Sequence, residues 1–158
     1  MENQDTSNKM NPYLKFGLMM LLSFVIMYAV MFLNVAVFEH IKLSLTRTYM
    51  TLLMVSPMAI SMLLFMWKMY PNQKTNYSII IAASLVFVTS LLMLRNQTLI
   101  TDVQYMKAMI PHHSSAIMTS SNVDFKDAEL KKLAEDIIIA QEKEIKQMNE
   151  MILRLQNK

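Results

Sequence analysis

Cysteine is absent from this chain, which excludes a disulfide framework and any thiolate metal site. The absence does not fix the compartment. It suits an oxidising exterior, where thioethers go on binding soft metals while thiols are lost to disulfides. Glycine occurs once, so no phosphate-cradling glycine loop can be built. With 54% apolar residues and one glycine the chain is too oily for a loop-rich globular domain, and most of it must be helix. Charge is also scarce. Charged residues make up 17% of the chain and the net charge is only +3, spread along its length, which leaves no basic patch for nucleic acid. No nucleophile lies beside a base, so the sequence does not read as an enzyme.

What is present divides into two halves. Residues 1–95 carry three long apolar runs, and residues 96–158 carry Lys, Glu, Asp and Gln at helical spacing. The first run, 16–38, has no charge before Glu39 and is long enough to cross a hydrocarbon core of about 30 Å. The second, 49–67, lies between Arg47 and Lys68, with Tyr49, Trp67 and Tyr70 where aromatic belts form. Pro57 inside it removes one backbone donor and predicts a kink near Ser56. The third, 77–94, ends at Arg95. A cleaved signal peptide is the rival for the first run, but the run is too long and no small-x-small cleavage pattern follows it. The expectation is a multi-pass protein of the cell membrane, in contact with the lipid bilayer through three transmembrane helices.

An odd number of spans puts the two ends of the chain on opposite sides. Lys9, Lys15, Lys68 and Lys74 flank one side, against Lys42, Arg47 and Arg95 on the other. The positive-inside rule then favours a cytoplasmic N-terminus and an extracytoplasmic C-terminal segment, although counting Lys107 would remove the difference.

The C-terminal half predicts two helices. From about 97 to 120, Leu99, Val103, Met106, Met109 and Ile110 recur at three and four, and Ala116 and Ile117 resume the pattern. This helix is expected to continue the third span or bend just after it, with a kink at Pro111. Ser120 to Asn122 with Asp124 reads as a turn capped by Asp124. The second helix, about 125 to 156, shows a near-heptad seam of Leu130, Leu133, Ala134, Ile137, Ile138, Gln141, Ile145, Met148, Ile152 and Leu155. A lone hairpin of this size buries little surface, so a homo-oligomer that completes a four-helix bundle is expected.

One cluster stands out for chemistry. Residues 109–113 read Met-Ile-Pro-His-His in a chain with eighteen methionines. Paired imidazoles beside thioethers suit a soft ion such as Cu(I) or Ag(I). A di-iron carboxylate centre would need a Glu-x-x-His repeat, which the sequence lacks.

From Asp102 through Met148 the chain resembles the domain of unknown function 305 family. The resemblance rests on Asp102, Tyr105, Met106, Met109, His112, His113, Ala116 and Ile117, then on Leu133, Ala134, Ile138, Gln141, Glu144, Ile145 and Met148. It implies a ferritin-like, all-α hairpin that binds copper outside the cytoplasm. Two departures stand out: Thr119 occupies a position where many members have methionine, with Met118 next door, and the tryptophan usual near the end of the second helix is missing. Against that resemblance the helical spacing has a plain meaning. Met109 is three before His112 and four before His113, and antiparallel packing would bring Met148 and Met151 towards Met106 and Met109. The expected ligand set is His112, His113, Met106, Met109, Met118, Met148 and Met151. Gln141 and Glu144 are expected to orient an imidazole, since metal-bound histidine usually donates its other N–H to an oxygen.

Each methionine alone is more often core filler than ligand, and adjacent histidines can form a polar layer. The rival function is therefore a membrane-anchored oligomerisation or partner-docking protein without metal. Met50, Met54, Met58, Met62 and Met66 also recur through the second span, with Met19, Met20, Met27 and Met31 in the first. Helix packing accounts for them better than an ion path, because no charge or histidine marks the span. Asn34 is expected to make an interhelical hydrogen bond.

Overall fold

The computed structural model describes residues 10–157; Lys9, which enters the charge count above, lies outside them. Among the described residues there are five α-helices and no strand: α1 (Pro12–Val30), α2 (Leu45–Phe65), α3 (Gln73–Arg95), α4 (Asp102–Asn122) and α5 (Ala128–Gln156). Every helix start has a side-chain cap. Asn11, Ser44, Asn72, Thr101 and Asp127 each accept a hydrogen bond from a backbone N–H of the following first turn. The cap of α5 is Asp127, bonded to Leu130 N at 2.7 Å, and not Asp124, which instead pairs with Lys126.

Helices α1, α2 and α3 are long and apolar enough to cross a membrane, with mean hydropathies of 1.9, 1.7 and 2.3, and they fit a multi-pass membrane protein. At 1.5 Å per residue the shortest of them spans roughly 28 Å. The first helix begins four residues before the predicted run and stops at Val30. Residues 31–44 become turns with a short 3-10 segment at Phe38–His40, because Asn34 and His40 find polar partners in α4 and Glu39 ends the uncharged run. Helix α2 continues unbroken through Pro57.

The apolar core of this half is Phe16, Ala59, Leu63 and Tyr70. Beside it Asn76, fully buried, donates to the Tyr70 carbonyl at 2.9 Å and accepts from the Tyr13 hydroxyl at 2.9 Å. Buried Thr51 and Ser56 return their hydroxyls to carbonyls four residues earlier, so their burial leaves nothing unsatisfied.

Helix α4 does not continue α3. The chain turns between Asn96 and Thr101, with Gln97 at φ 50° and Leu99 at φ 62°. Left-handed geometry costs a non-glycine residue roughly 1–2 kcal/mol. Two side-chain hydrogen bonds support the turn's backbone bonds: Gln97 Nε2 to the Leu94 carbonyl and the Tyr49 hydroxyl to the Thr98 carbonyl. The hairpin of α4 and α5 has its own core of Met106, Ile110, Ile117, Ile145 and Ile152, with Ile138, Met148 and Leu155 packed against it. Leu130 and Leu133, expected in this seam, are exposed, whereas Ala134 beside them is buried; Leu133 points about 100° away from Ala134 around α5.

Candidate functional site

Helix α4 is fixed on the first loop by three side-chain bonds and on the start of α2 by a fourth. The fully buried Ser114 hydroxyl accepts from the Ala36 amide at 2.8 Å and lies 2.8 Å from His40 Nδ1. Asn34 Nδ2 donates to Ser115 Oγ at 2.8 Å, and the Leu45 amide donates to Gln104 Oε1 at 3.0 Å. The interhelical bond expected of Asn34 therefore reaches α4 and not a neighbouring span. Burial lowers the pKa of His40, with Glu39 acting in the opposite sense.

With α4 anchored on that side, consecutive residues at His112 and His113 point about 100° apart around the helix. Their ring centroids are 6.1 Å apart at an interplanar angle of 62°. His113 turns to α5, where its Nε2 meets Glu144 Oε2 at 2.7 Å. Its Nδ1 is buried and has no hydrogen-bond partner. Beside this pair lies a cleft of about 200 Å³, lined by Tyr105, Met109, His113, Glu144, Gln147, Met148 and Met151. His112 turns the other way, into a separate cleft against the start of α2.

The expected ligand set thus separates. Met109, His113, Met148 and Met151 share one cleft, and Glu144 is bonded to the imidazole. Met106 is buried in the hairpin core, Met118 is partly buried and does not line the cleft, and His112 belongs elsewhere. Gln141 is partly buried without a side-chain hydrogen bond among the described residues. Tyr105 and Gln147 line the cleft and are absent from the expected set. Their signal was spacing: Tyr105 lies four before Met109 and eight before His113, and Gln147 three after Glu144. No three His, Asp or Glu side chains among the described residues form a metal-holding group, so a metal held here would depend on thioethers.

Three helices able to span a bilayer, carrying a docked α-helical hairpin with a histidine–carboxylate pair, define the class of protein. The chain belongs to the Domain of unknown function (DUF305) family, whose model matches residues 89–152, from the last turns of α3 through most of α5. It is similar to Uncharacterized protein L153 of Acanthamoeba polyphaga mimivirus, 40% identical over 122 residues that cover 75% of this chain and 78% of that protein. No solved structure matches the chain.

Proposed function

We propose that this protein is a membrane-anchored binder of a soft metal ion, with Cu(I) as cargo and Ag(I) as its close surrogate, serving metal handling or tolerance and not turnover of a substrate. The observation that carries this reading is the cleft around His113. Three thioethers, from Met109, Met148 and Met151, line it together with an imidazole. Neutral sulfur and nitrogen donors favour Cu(I) over harder ions. One nitrogen of that imidazole is held by Glu144 at 2.7 Å and the other is buried without a partner. A carboxylate on one ring nitrogen is the usual support of a metal-binding histidine, and a metal ion is a partner that would satisfy the other.

The hairpin is extracytoplasmic in this reading, where a cysteine-free, methionine-based donor set keeps its ligands reduced. A second copy of the chain supports the cleft. Leu133, Glu144 and Met151 are spaced by eleven and seven residues, which places them within about 20° on one side of α5. Leu133 is 54% exposed and Met151 44% exposed there. A second hairpin laid on this side would bury both and complete a four-helix bundle over the cleft. Leu133→Glu lowers the mass of the detergent-solubilised particle in this account, whereas Ile145→Glu would unfold the hairpin, since Ile145 is core.

The test is competitive titration of Cu(I) in the full-length protein against a chromogenic chelator, with His113→Ala beside it. Tight binding that is lost in the variant while helicity is kept supports the reading. Unchanged binding in the variant, or none in either protein, removes it in favour of a hairpin that only docks partners.

A further inference from the structure

We propose a second soft-metal site about 100° further round α4, formed by His112 with Met31 and Met50, which passes its ion to the His113 cleft; it rests on the reading of that cleft as a soft-metal site. The cleft has a volume of about 240 Å³ and is lined by Met31, Asn34, Arg47, Met50, His112 and Ser115. Three distant stretches of chain meet here. Met31 caps the end of α1, Met50 lies in the second turn of α2, and His112 comes from α4. They bring two thioethers and an imidazole to the level where the first two membrane helices end and begin.

The remaining groups explain how the donors are held. The Thr51 hydroxyl gives its one proton to the Arg47 carbonyl at 2.8 Å and lies 3.6 Å from Met31 Sδ, so the sulfur lone pairs stay free for a metal. The ring of His112 makes no hydrogen bond among the described residues, in contrast to that of His113. Ser115, one turn further on, is tied to Asn34 and keeps the loop and α4 together at this level.

The electrostatics of the two clefts have opposite sign, and this sets the direction of transfer. Arg47 faces the junction cleft. Its guanidinium donates to the Met31 carbonyl and lies 4.4 Å from the Phe32 ring centroid, which anchors it but leaves its charge in place. A fixed cation beside neutral donors weakens the hold on another cation. The hairpin cleft has a carboxylate, Glu144, in the same role. The ion therefore rests weakly at His112 and tightly at His113, on adjacent residues whose rings are 6.1 Å apart. Transfer is a ligand exchange with no change of oxidation state. Met54 and Met58 continue outward from Met50 along exposed positions of α2, which places further thioethers on the membrane side of the junction.

Cu(I) titration of the full-length protein in lipid nanodiscs, with chelators of two strengths, tests this. Two equivalents are expected, the second bound at least about tenfold more weakly, a gap of about 1.4 kcal/mol. Met31→Leu/Met50→Leu removes the weaker equivalent and keeps the tighter one, and His113→Ala does the reverse. Leucine conserves the volume of methionine, so the fold is kept. Should the double variant misfold, the unmutated protein gives the same answer: the 13C-methyl signals of Met31 and Met50 shift with the second equivalent of Ag(I) and not the first. A single equivalent, lost in His113→Ala, or unshifted Met31 and Met50 signals, overturns the junction site and leaves the hairpin site standing. No bound equivalent in any form of the protein overturns both.

Discussion

His113 and Glu144, 31 residues apart in the chain, meet across the hairpin with Nε2 and Oε2 separated by 2.7 Å. The bond joins α4 to α5 beside a cleft in which the other donors are neutral sulfurs. A carboxylate there both fixes the ring and places a negative charge near a bound cation.

Glu144→Gln keeps the size of the side chain and removes that charge. Cu(I) affinity is expected to fall about 10–100-fold, the usual effect of losing the oxygen partner of a metal-binding histidine. Glu144 is 52% exposed, so the thermal transition should hardly move. Chelator competition together with circular dichroism checks both parts. An unchanged affinity would mean that Glu144 serves only to close the hairpin.

Met106 and Met109 are three residues apart but in different surroundings. Met106 packs among Ile110, Ile117, Ile145 and Ile152, whereas Met109 lines the cleft. Met109→Leu should weaken Cu(I) binding by about tenfold or more, in line with loss of one soft donor worth at least ~1.4 kcal/mol. Met106→Leu should leave binding unchanged, and Met106→Ala should cost about 2–5 kcal/mol of stability by opening a cavity. Equal loss of metal affinity in both leucine variants, with equal stability, would sink this division.

The sequence carried the helices because length and apolar content decide them, and α2 and α3 lie within a turn of their expected runs. The end of α1 was not legible. Residues 31–38 are as apolar as the span before them, and only the partners of Asn34 and His40 in α4 show why the chain leaves the helix. The turn after α3 was equally hidden, since Gln97 and Leu99 take left-handed geometry without glycine, held by Tyr49 from another helix. At the site, helical spacing put Met109 with His113 and Met148 with Met151. Spacing alone could not tell which of two adjacent histidines would face α5. That choice follows from Ile110 and Ile117, which turn into the hairpin core and lie within about 60° of His113 around α4 but about 140–160° from His112.

Asn76 gives a stability test independent of any metal. Its amide answers both the Tyr70 carbonyl and the Tyr13 hydroxyl in a fully buried position. Asn76→Ala leaves the carbonyl unpaired and deprives the hydroxyl of one partner, and the cost expected from a buried unsatisfied group is about 1–3 kcal/mol. Tyr13→Phe should cost less, because the Asn76 bond to Tyr70 survives. Thermal denaturation in detergent orders the two variants, and a Tyr13→Phe loss larger than that of Asn76→Ala would contradict this assignment.

His40 makes the docking of the hairpin on the first loop sensitive to acid. Burial lowers its pKa below the ordinary value of 6.5, and this outweighs the raising effect of Glu39, while Lys42 lowers it further. On the α5 side its groove is lined by Glu142, Lys146 and Glu150. A histidine whose folded pKa lies below its unfolded one is bound more tightly by protons in the unfolded or undocked state. Its contribution to docking is therefore complete above about pH 6.5, declines as the pH falls from there through the lower folded value, and levels off below that. Amide hydrogen exchange, corrected for its intrinsic pH dependence, should show the amides of Ala36, His40 and Ile41 protected near pH 7.5 and progressively less protected towards pH 5. In His40→Gln, where nothing titrates at that position, the protection of the same amides should be flat over this range. Persistence of the acid response in His40→Gln would transfer it to the acidic groups of α5 and not to the histidine that meets Ser114.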